Sequence, residues 1–316
     1  MKYSFVLPAY KATYLKEAID SILQQTYKDF ELIIVNDASP EDLYSIVKSY
    51  DDPRIQYYVN KENIGGKDLV AQWNHSISYA KGAYLILASD DDVYDCEFLE
   101  RMDKLIVRYP KANIFRPRVK TINEYGEIVG VEGYLKEYSS DIEFLQAWVN
   151  GWIGSGIPFY IFKREPLLEI GGFAQYPLAW FSDDATVLKL SNNGVVSSSD
   201  VLFSFRWSGM SISSKKNSLR SLELKLLATN HFNHETLTYL DGVDTDSEME
   251  KFIKQSIRST FTKMIYANKT IGQVSNASWV DVTYSLPMIR KCDFVPFRNF
   301  ILWYIKFSIR SLMGML

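Results

Sequence analysis

Three consecutive carboxylates, Asp90, Asp91 and Asp92, follow the apolar run of residues 84–88 after a single serine. Adjacent anions repel one another, and aspartate oxygens are the ligands that Mg²⁺ and Mn²⁺ prefer. Because ligands bind beyond the carboxyl ends of strands in α/β sheets, this cluster predicts a divalent metal that carries a phosphate-bearing substrate. The alternative is a helix N-terminus before residues 97–99, for which a single Asp would be a sufficient cap.

Other candidate residues stand at the predicted ends of strands and helices. They are Pro8, Ala9 and Tyr10 after the first apolar run, Asp37 after the second, and the pair Asp183 and Asp184. Asp37 is also typical of a turn before Ser39. Asp183 is also a candidate cap for a helix over residues 185–190.

The elements that must position these residues follow from the apolar periodicity. Strands are predicted over residues 4–7, 31–35, 55–59, 84–88, 114–122 and 159–162, and helices over 15–25, 42–50, 69–80, 219–240 and 247–267. Strands separated by helices pair in parallel through right-handed crossovers. The predicted fold is therefore α/β, with a mainly parallel twisted sheet flanked by helices and a helical C-terminal extension.

The chain resembles the family 2 glycosyltransferases of the GT-A fold over residues 3–213. Four groups carry this resemblance in chain order: residues 8–10, Asp37, residues 90–92, and the pair Asp183 and Asp184. The resemblance implies a metal-dependent, inverting transfer of a sugar from a UDP- or dTDP-sugar to a saccharide or lipid-linked saccharide acceptor, in bacterial surface polysaccharide synthesis. It implies Mn²⁺ or Mg²⁺ as the cofactor. The catalytic domain would cover residues 1–215, and residues 216–316 would form a helical region with an apolar, basic tail.

The resemblance also implies a role for each candidate residue. Nucleotide binding would fall to Pro8, Ala9, Tyr10, Asp37, Lys67, Asn74 and Asp90. Asp91 and Asp92 would bind the metal, Asp184 would be the general base, and Asp183 would support it. Lys67 is equally consistent with a solvated surface lysine.

Two positions near the expected metal depart from the family pattern. Ser89 stands where many relatives carry the first Asp of the metal motif, which leaves the division of labour among the three carboxylates open. Ser208 stands where relatives often carry a His near the metal, so the metal would have fewer protein ligands. Arg206 would either contact phosphate or form a structural ion pair.

Composition limits the partners and the compartment. The net charge of −3 gives no reason to expect nucleic acid, and the two distant cysteines indicate a reducing compartment. The N-terminal apolar run is too short for a signal peptide, so a cytoplasmic location is expected. Residues 297–316 combine apolar residues with Arg298, Lys306 and Arg310 and carry no acid. This pattern favours contact with the inner face of the plasma membrane, the alternative being a helix packed on protein.

Two other functions remain open from the residues. A sugar nucleotidyltransferase also uses an α/β sheet and a metal, although it usually has a glycine-rich loop after its first strand. A nucleotide-sugar-binding protein without activity would tolerate Ser89 and Ser208. The glycine-rich segment 150–156 is either a ligand-approaching loop or a connector, and specificity is expected from residues 134–152 and the loop before Pro158.

Overall fold

A computed structural model describes residues 1–209 and 216–312, without the side chains of Asn268 and of residues 310–312. The chain divides into two compact units. Unit 1 contains residues 1–175 and 182–208, and unit 2 contains residues 176–181 and the chain from 209 onwards. The predicted boundary after residue 215 falls at the end of the segment that lies outside the described residues, and it stays a prediction.

Unit 1 is built on one sheet with helices around it. Its strands are β1 (Tyr3–Ala9), β2 (Phe30–Asn36), β3 (Ile55–Val59), β4 (Tyr84–Leu87), β5 (Val93–Tyr94), β6 (Ile114–Ile122), β7 (Ile128–Val131), β8 (Tyr138–Ser139), β9 (Ile161–Lys163) and β10 (Val195–Arg206). Its helices are α1 (Leu15–Leu23), α2 (Leu43–Lys48), α3 (Leu69–Ile77), α4 (Phe98–Arg108), α5 (Asp141–Val149), α6 (Arg164–Glu169) and α7 (Ser182–Leu190).

The strand order of the sheet is β3-β2-β1-β4-β9-β6-β10-β5, with β7 beside β6 and β8 beside β10. The long pairings, β3-β2-β1-β4 and β6-β10, are parallel, and the short pairings of β5, β7, β8 and β9 are antiparallel. The carboxyl ends of β2, β1 and β4 therefore lie side by side at one edge. The predicted mainly parallel sheet flanked by helices is confirmed.

Strand composition explains why this sheet forms. Every residue of β2 is buried, and β1 is buried except for the half-buried Pro8, as expected for strands covered on both faces. The strands predicted over residues 55–59 and 114–122 are confirmed in both bounds. The last predicted strand begins later, at Ile161, because residues 157–159 form a 3₁₀ turn that includes Pro158.

The alternative role of the three-carboxylate cluster, as the N-terminus of a helix, is not what the structure has. Val93 and Tyr94 form β5 after the cluster, and α4 begins only at Phe98. The cluster is therefore a turn between two strands, as the metal hypothesis requires. The second carboxylate pair also differs from its alternative, because α7 begins at Ser182 and includes both Asp183 and Asp184 in its first turn.

Unit 2 is helical from residue 219 onwards. Its helices are α8 (Leu219–Gly242), α9 (Glu248–Met264), α10 (Gly272–Ser275), α11 (Trp279–Ile289) and α12 (Phe297–Leu312), and a π-helical segment (Ile265–Ile271) joins α9 to α10. Leu226, Phe232, Ile257 and Phe261 are among the side chains buried in its core. Within the described ranges, no helix combines the length and the apolar character that a membrane span requires.

Candidate active site

Asp90 joins the end of β4 to the loop that follows β1. Its Oδ2 accepts hydrogen bonds from the backbone N–H groups of Tyr10 (2.9 Å) and Lys11 (2.8 Å). The Ser39 hydroxyl, beyond the end of β2, donates to the carbonyl oxygen of Tyr10 (2.6 Å). The backbone N–H of Asp37 donates to the carbonyl of Ala9 (3.0 Å). The loops after three neighbouring strands are thus linked by hydrogen bonds into one edge.

Asp92 is buried and engaged on both of its oxygens. Its Oδ1 accepts from the backbone N–H of Arg206 (2.8 Å), and its Oδ2 accepts from the Ser89 hydroxyl. Burial, together with the charge of Asp91, raises the pKa of Asp92 to about 8. These hydrogen bonds make Asp92 part of the frame of the turn, and its assignment as a metal ligand stays a prediction.

Arg206 at the end of β10 supports the same turn. Its Nε donates to the carbonyl of Asp91 (2.8 Å), and its Nη2 pairs with the Glu17 carboxylate (2.6 Å). The guanidinium carbon lies 4.2 Å from the centroid of the Tyr14 ring, which adds a cation–π contact. Of its two predicted roles, the structure has the structural ion pair.

Asp91 lies half-buried between the two engaged carboxylates. Burial and the negative charge of Asp90 raise the pKa of Asp91, and the cations of Lys11 and Arg206 oppose this shift. In the described part of the chain, no group of three or more His, Cys, Asp or Glu side chains is placed to hold a metal ion. Mg²⁺ commonly takes one or two carboxylates and completes its shell with substrate phosphates and water. The turn formed by residues 90–92, which is named the acidic turn, fits that mode of binding.

Asp37 organises the loop that follows β3. Its Oδ1 accepts from the Asn60 amide (2.7 Å) and the Ile64 backbone N–H (2.8 Å), and its Oδ2 accepts from the Gly65 backbone N–H (2.7 Å). The side chain is only 4 % exposed. A carboxylate has about four acceptor positions, so three internal bonds leave room for one more donor. The position fits an acceptor for the imide N–H of a base.

Pro8, Ala9 and Tyr10 line this edge, and they differ in how deeply they are buried. Ala9 is fully buried, Pro8 is half-buried, and Tyr10 is 40 % exposed. An exposed aromatic ring next to a buried acceptor suits a flat heterocycle, since aromatic rings stack in offset geometry. Base binding by these three residues remains a prediction.

Asn74 and Lys67, both predicted to bind nucleotide, have different surroundings. The Asn74 amide donates to the carbonyl of Phe173 (3.1 Å) and accepts from the N–H of the same residue (2.8 Å). Asn74 therefore holds the turn at Gly171 and Gly172. Lys67 forms an exposed ion pair with Glu62 (2.5 Å), a weak interaction that a phosphate could replace. Nucleotide contact by either side chain stays a prediction.

Asp183 and Asp184 are half-buried in the first turn of α7, where the helix dipole favours carboxylates. The backbone N–H of Asp184 donates to Oδ1 of Asp183 (3.0 Å). Burial raises the pKa of Tyr160, and the Asp184 and Asp183 carboxylates raise it further. The Tyr160 hydroxyl lies 3.5 Å from that of Ser155, in the glycine-rich segment. Tyr160 therefore contacts this segment and also responds to the charge of the carboxylate pair.

The comparisons with known proteins decide the family. The family model for Glycosyl transferase family 2 matches residues 4–171, just over half of the chain. The chain belongs to glycosyl transferase family 2. The matched range includes the Asp37 edge and the acidic turn and ends before Asp183.

Curated relatives match this family 2 chain over part of their lengths. It is 33% identical to Glycosyltransferase GlyA of Streptococcus pneumoniae over 147 residues, which is 44% of this chain and 20% of GlyA. It is 33% identical to Protein CgeD of Bacillus subtilis over 134 residues, which is 40% of this chain and 32% of CgeD. The chain thus spans between a fifth and a third of these relatives.

The solved structures establish the fold. The S. aureus TarS structure (residues 1–349) in complex with UDP-GlcNAc superposes with a TM-score of 0.63 at 18% sequence identity, covering 87% of this chain and 80% of that one. The UDP complex gives the same TM-score at 17% identity, covering 90% and 78%. This likeness confirms the GT-A fold.

Sequence reasoning missed the residues that hold the site together. Glu17 pairs with Arg206 across 189 positions, and Asn60 reaches Asp37 across 23. Neither side chain stands in a motif, so no local signal marks it. The Ser89 hydroxyl donates to Asp92, while the division of labour among the three carboxylates stays a prediction.

Proposed function

We propose that this chain is a metal-dependent, inverting glycosyltransferase. It would move a sugar from a nucleoside-diphosphate donor, a UDP- or dTDP-sugar, to a hydroxyl of a saccharide or lipid-linked saccharide acceptor. The biological setting would be the synthesis of a bacterial surface polysaccharide. Membership of glycosyl transferase family 2 supports the reaction class, and UDP-GlcNAc in the similar TarS structure supports a nucleotide-sugar donor.

The observation that carries this proposal is the hydrogen-bonded edge formed by the loops after β2, β1 and β4. It brings the Asp37 carboxylate, the Tyr10 ring and the acidic turn to the carboxyl ends of adjacent strands. Ligands of open α/β sheets bind at such an edge. The Asp37 acceptor and the aromatic surface match the base of a nucleotide, and the carboxylate turn matches its diphosphate.

The residues of the chain would divide the reaction as follows. Asp37 accepts the imide N–H of the base, and Asp91, next to Asp90, faces the diphosphate. Asp184 accepts the proton of the acceptor hydroxyl while that oxygen attacks the anomeric carbon. The bond from the anomeric carbon to the diphosphate oxygen breaks, and the nucleoside diphosphate leaves from the opposite face. A Mn²⁺ or Mg²⁺ ion at Asp91 would neutralise the charge that develops on the diphosphate.

The proposal is tested by nucleoside-diphosphate release from a panel of nucleotide sugars. Wild type is compared with Asp91→Ala, with Asp184→Asn and with Asp51→Asn, a control at an exposed carboxylate. We expect turnover of one donor, abolished by chelation and by Asp91→Ala. In Asp184→Asn, donor affinity should stay within about twofold while turnover falls about 10³-fold, the usual range for loss of a general base. Full activity of either site variant would refute its assignment.

A peripheral contact with the membrane is proposed for α12. Leu302, Ile305 and Ile309 are each about half exposed, and Arg298 and Lys306 are exposed as well. The opposite face is anchored by the buried Phe300 and Phe307. Arg310, part of the predicted basic pattern, has its side chain outside the described residues. An apolar face with cations and no acid suits an anionic bilayer surface.

Sedimentation with phosphatidylglycerol vesicles tests this contact. Wild type should bind the vesicles. Leu302→Glu should weaken binding about tenfold, because a charge replaces an apolar side chain that would enter the bilayer surface. Leu227→Glu changes an equally exposed leucine on α8 and should bind as wild type does. Equal loss in both variants, or no binding by wild type, would contradict the proposal.

A further inference from the structure

An exposed tryptophan stands on the glycine-rich segment of residues 150–156. Trp152 is 53 % exposed, and Tyr134 on a neighbouring loop is 66 % exposed. The two loops are joined where the backbone N–H of Gly133 donates to the carbonyl of Trp152 (2.8 Å). Tyr134 and Trp152 together are named the aromatic platform.

The close approach of the two loops depends on a glycine. A Cβ at position 133 would lie 2.7 Å from the carbonyl oxygen of Trp152. Any other residue at Gly133 would therefore push the loops apart. Ile153, next to Trp152, is 5 % exposed and anchors the segment in the core of unit 1. The tryptophan is thus fixed on a backbone held from two sides.

A buried ion pair fixes the platform further. Glu132 accepts from the Gly154 backbone N–H on one oxygen (2.6 Å) and pairs with Arg116 through the other (2.5 Å). The Arg116 side chain is 1 % exposed and the Glu132 side chain 12 % exposed. Among the described residues, Nε and Nη1 of Arg116 have no hydrogen-bond partner. Burying such a pair costs more free energy than packed apolar residues would.

The buried pair of Glu132 and Arg116 stabilises the protein less than packed apolar residues would. It nevertheless fixes the loop that presents the Trp152 ring to solvent. Arg116 also lies 5.7 Å from the ring centroid of Tyr160, whose pKa responds to Asp184 and Asp183. The loop that carries the platform therefore reaches Tyr160, and Tyr160 in turn responds to the carboxylate pair of the same unit. A site that receives an acceptor hydroxyl at Asp184 needs a surface for the rest of the acceptor molecule.

We infer that the aromatic platform binds the acceptor saccharide, with the C–H face of a pyranose ring stacked on Trp152. Binding sites for neutral ligands combine aromatic walls with a few fixed polar groups, which here would come from the carboxylate pair. Glu132 and Arg116 are positioning residues that hold the loop. This inference rests on the proposed function, because it names the acceptor side of the same site.

The test measures saccharide binding separately from donor chemistry. Saturation-transfer difference NMR is recorded with a pool of methyl pyranosides and disaccharides, in the presence of UDP and Mn²⁺. Wild type should show transfer to the C–H protons of one ring face of at least one saccharide. Trp152→Ala should reduce this signal about tenfold, and Trp152→Phe should restore part of it. Tyr44→Ala, a change at an equally exposed aromatic residue on α2, should leave the signal unchanged.

A second variant tests the Glu132–Arg116 ion pair, which braces the loop, separately from the Trp152 ring. Glu132→Gln removes the charge that pairs with Arg116 and leaves the platform residues in place. Acceptor binding should weaken about threefold. The thermal midpoint should also fall, because the buried Arg116 charge loses its partner, so binding is measured at a temperature at which the variant is fully folded. Saccharide binding equal to that of wild type would refute the role of the brace.

Donor chemistry distinguishes the failure of this inference from the failure of the proposed function. Hydrolysis of the nucleotide sugar, with water as the acceptor, should be equal in wild type and Trp152→Ala. If hydrolysis occurs but saccharide binding is absent or unchanged by Trp152→Ala, the platform is wrong and the transferase proposal stands. If saccharides bind at Trp152 but no donor is hydrolysed, the transferase proposal fails and the platform stands.

Discussion

Replacing Arg206 with Met should loosen the acidic turn. The guanidinium pairs with Glu17 (2.6 Å), donates to the carbonyls of Asp91 (2.8 Å) and Asn123 (3.3 Å), and stacks on Tyr14. Methionine keeps the apolar volume of the stem and removes each of these interactions.

The cost follows from the exposure of each partner. The Glu17 side chain is 51% exposed, so its carboxylate regains water and the ion pair contributes about 1 kcal/mol at most. The two carbonyl bonds contribute about 1 kcal/mol each, and the contact with Tyr14 about 1 kcal/mol. We expect Arg206→Met to lower the free energy of unfolding by about 3–4 kcal/mol.

The assay is urea unfolding followed by circular dichroism and by tryptophan fluorescence, whose transitions must coincide for one free energy to be read. Arg101→Met is the matched control, because Arg101 pairs with Glu97 (3.0 Å) on the exposed face of α4. That variant should lose about 0.5 kcal/mol or less. Equal losses in the two variants would refute the account of Arg206 as the support of the turn.

Three further outcomes are expected. Gly171 and Gly172 have φ of 88° and 87°, but only at Gly172 would a Cβ meet a side-chain amide. Gly171→Ala should cost about 1–2 kcal/mol of unfolding free energy and Gly172→Ala clearly more, and equal costs would contradict this. At pH 8 a thiol reagent should modify the exposed Cys96 and spare Cys292, which is buried with its pKa raised to about 11, until urea is added. Burial and a hydrogen bond raise the pKa of Tyr3, so the unfolded chain loses this proton first. The unfolding free energy should therefore fall as the pH rises above about 10, and less steeply in Tyr3→Phe.

The sheet was predictable because its strands carry their own signal. Residues 5–9, 32–35 and 84–87 are uninterrupted apolar runs within β1, β2 and β4. Each strand ends at a polar residue or a turn, so the parallel pairing follows from general rules. The predicted helix over residues 185–190 was too short at its start, because a first turn rich in carboxylates does not reveal where the helix begins.

The motif residues of the candidate site were predictable from the sequence. The contacts that hold those residues in place were not. Asp37, Asp91 and Asp184 follow from their positions relative to predicted strands and from the family resemblance. The engagement of Asn74 with Phe173, across 99 positions, depends on how α3 packs, which no local pattern encodes. For the same reason, no local pattern indicated that Asp92 accepts a hydrogen bond from Arg206 of β10.

The measurement that tests the central claim most directly is a crystal structure with UDP and Mn²⁺ and an anomalous difference map at the manganese edge. The account predicts one manganese peak within about 2.5 Å of an Asp91 oxygen and of a diphosphate oxygen, with the uracil imide on Asp37. A manganese ion away from the acidic turn, or a uracil that does not contact Asp37, would contradict it.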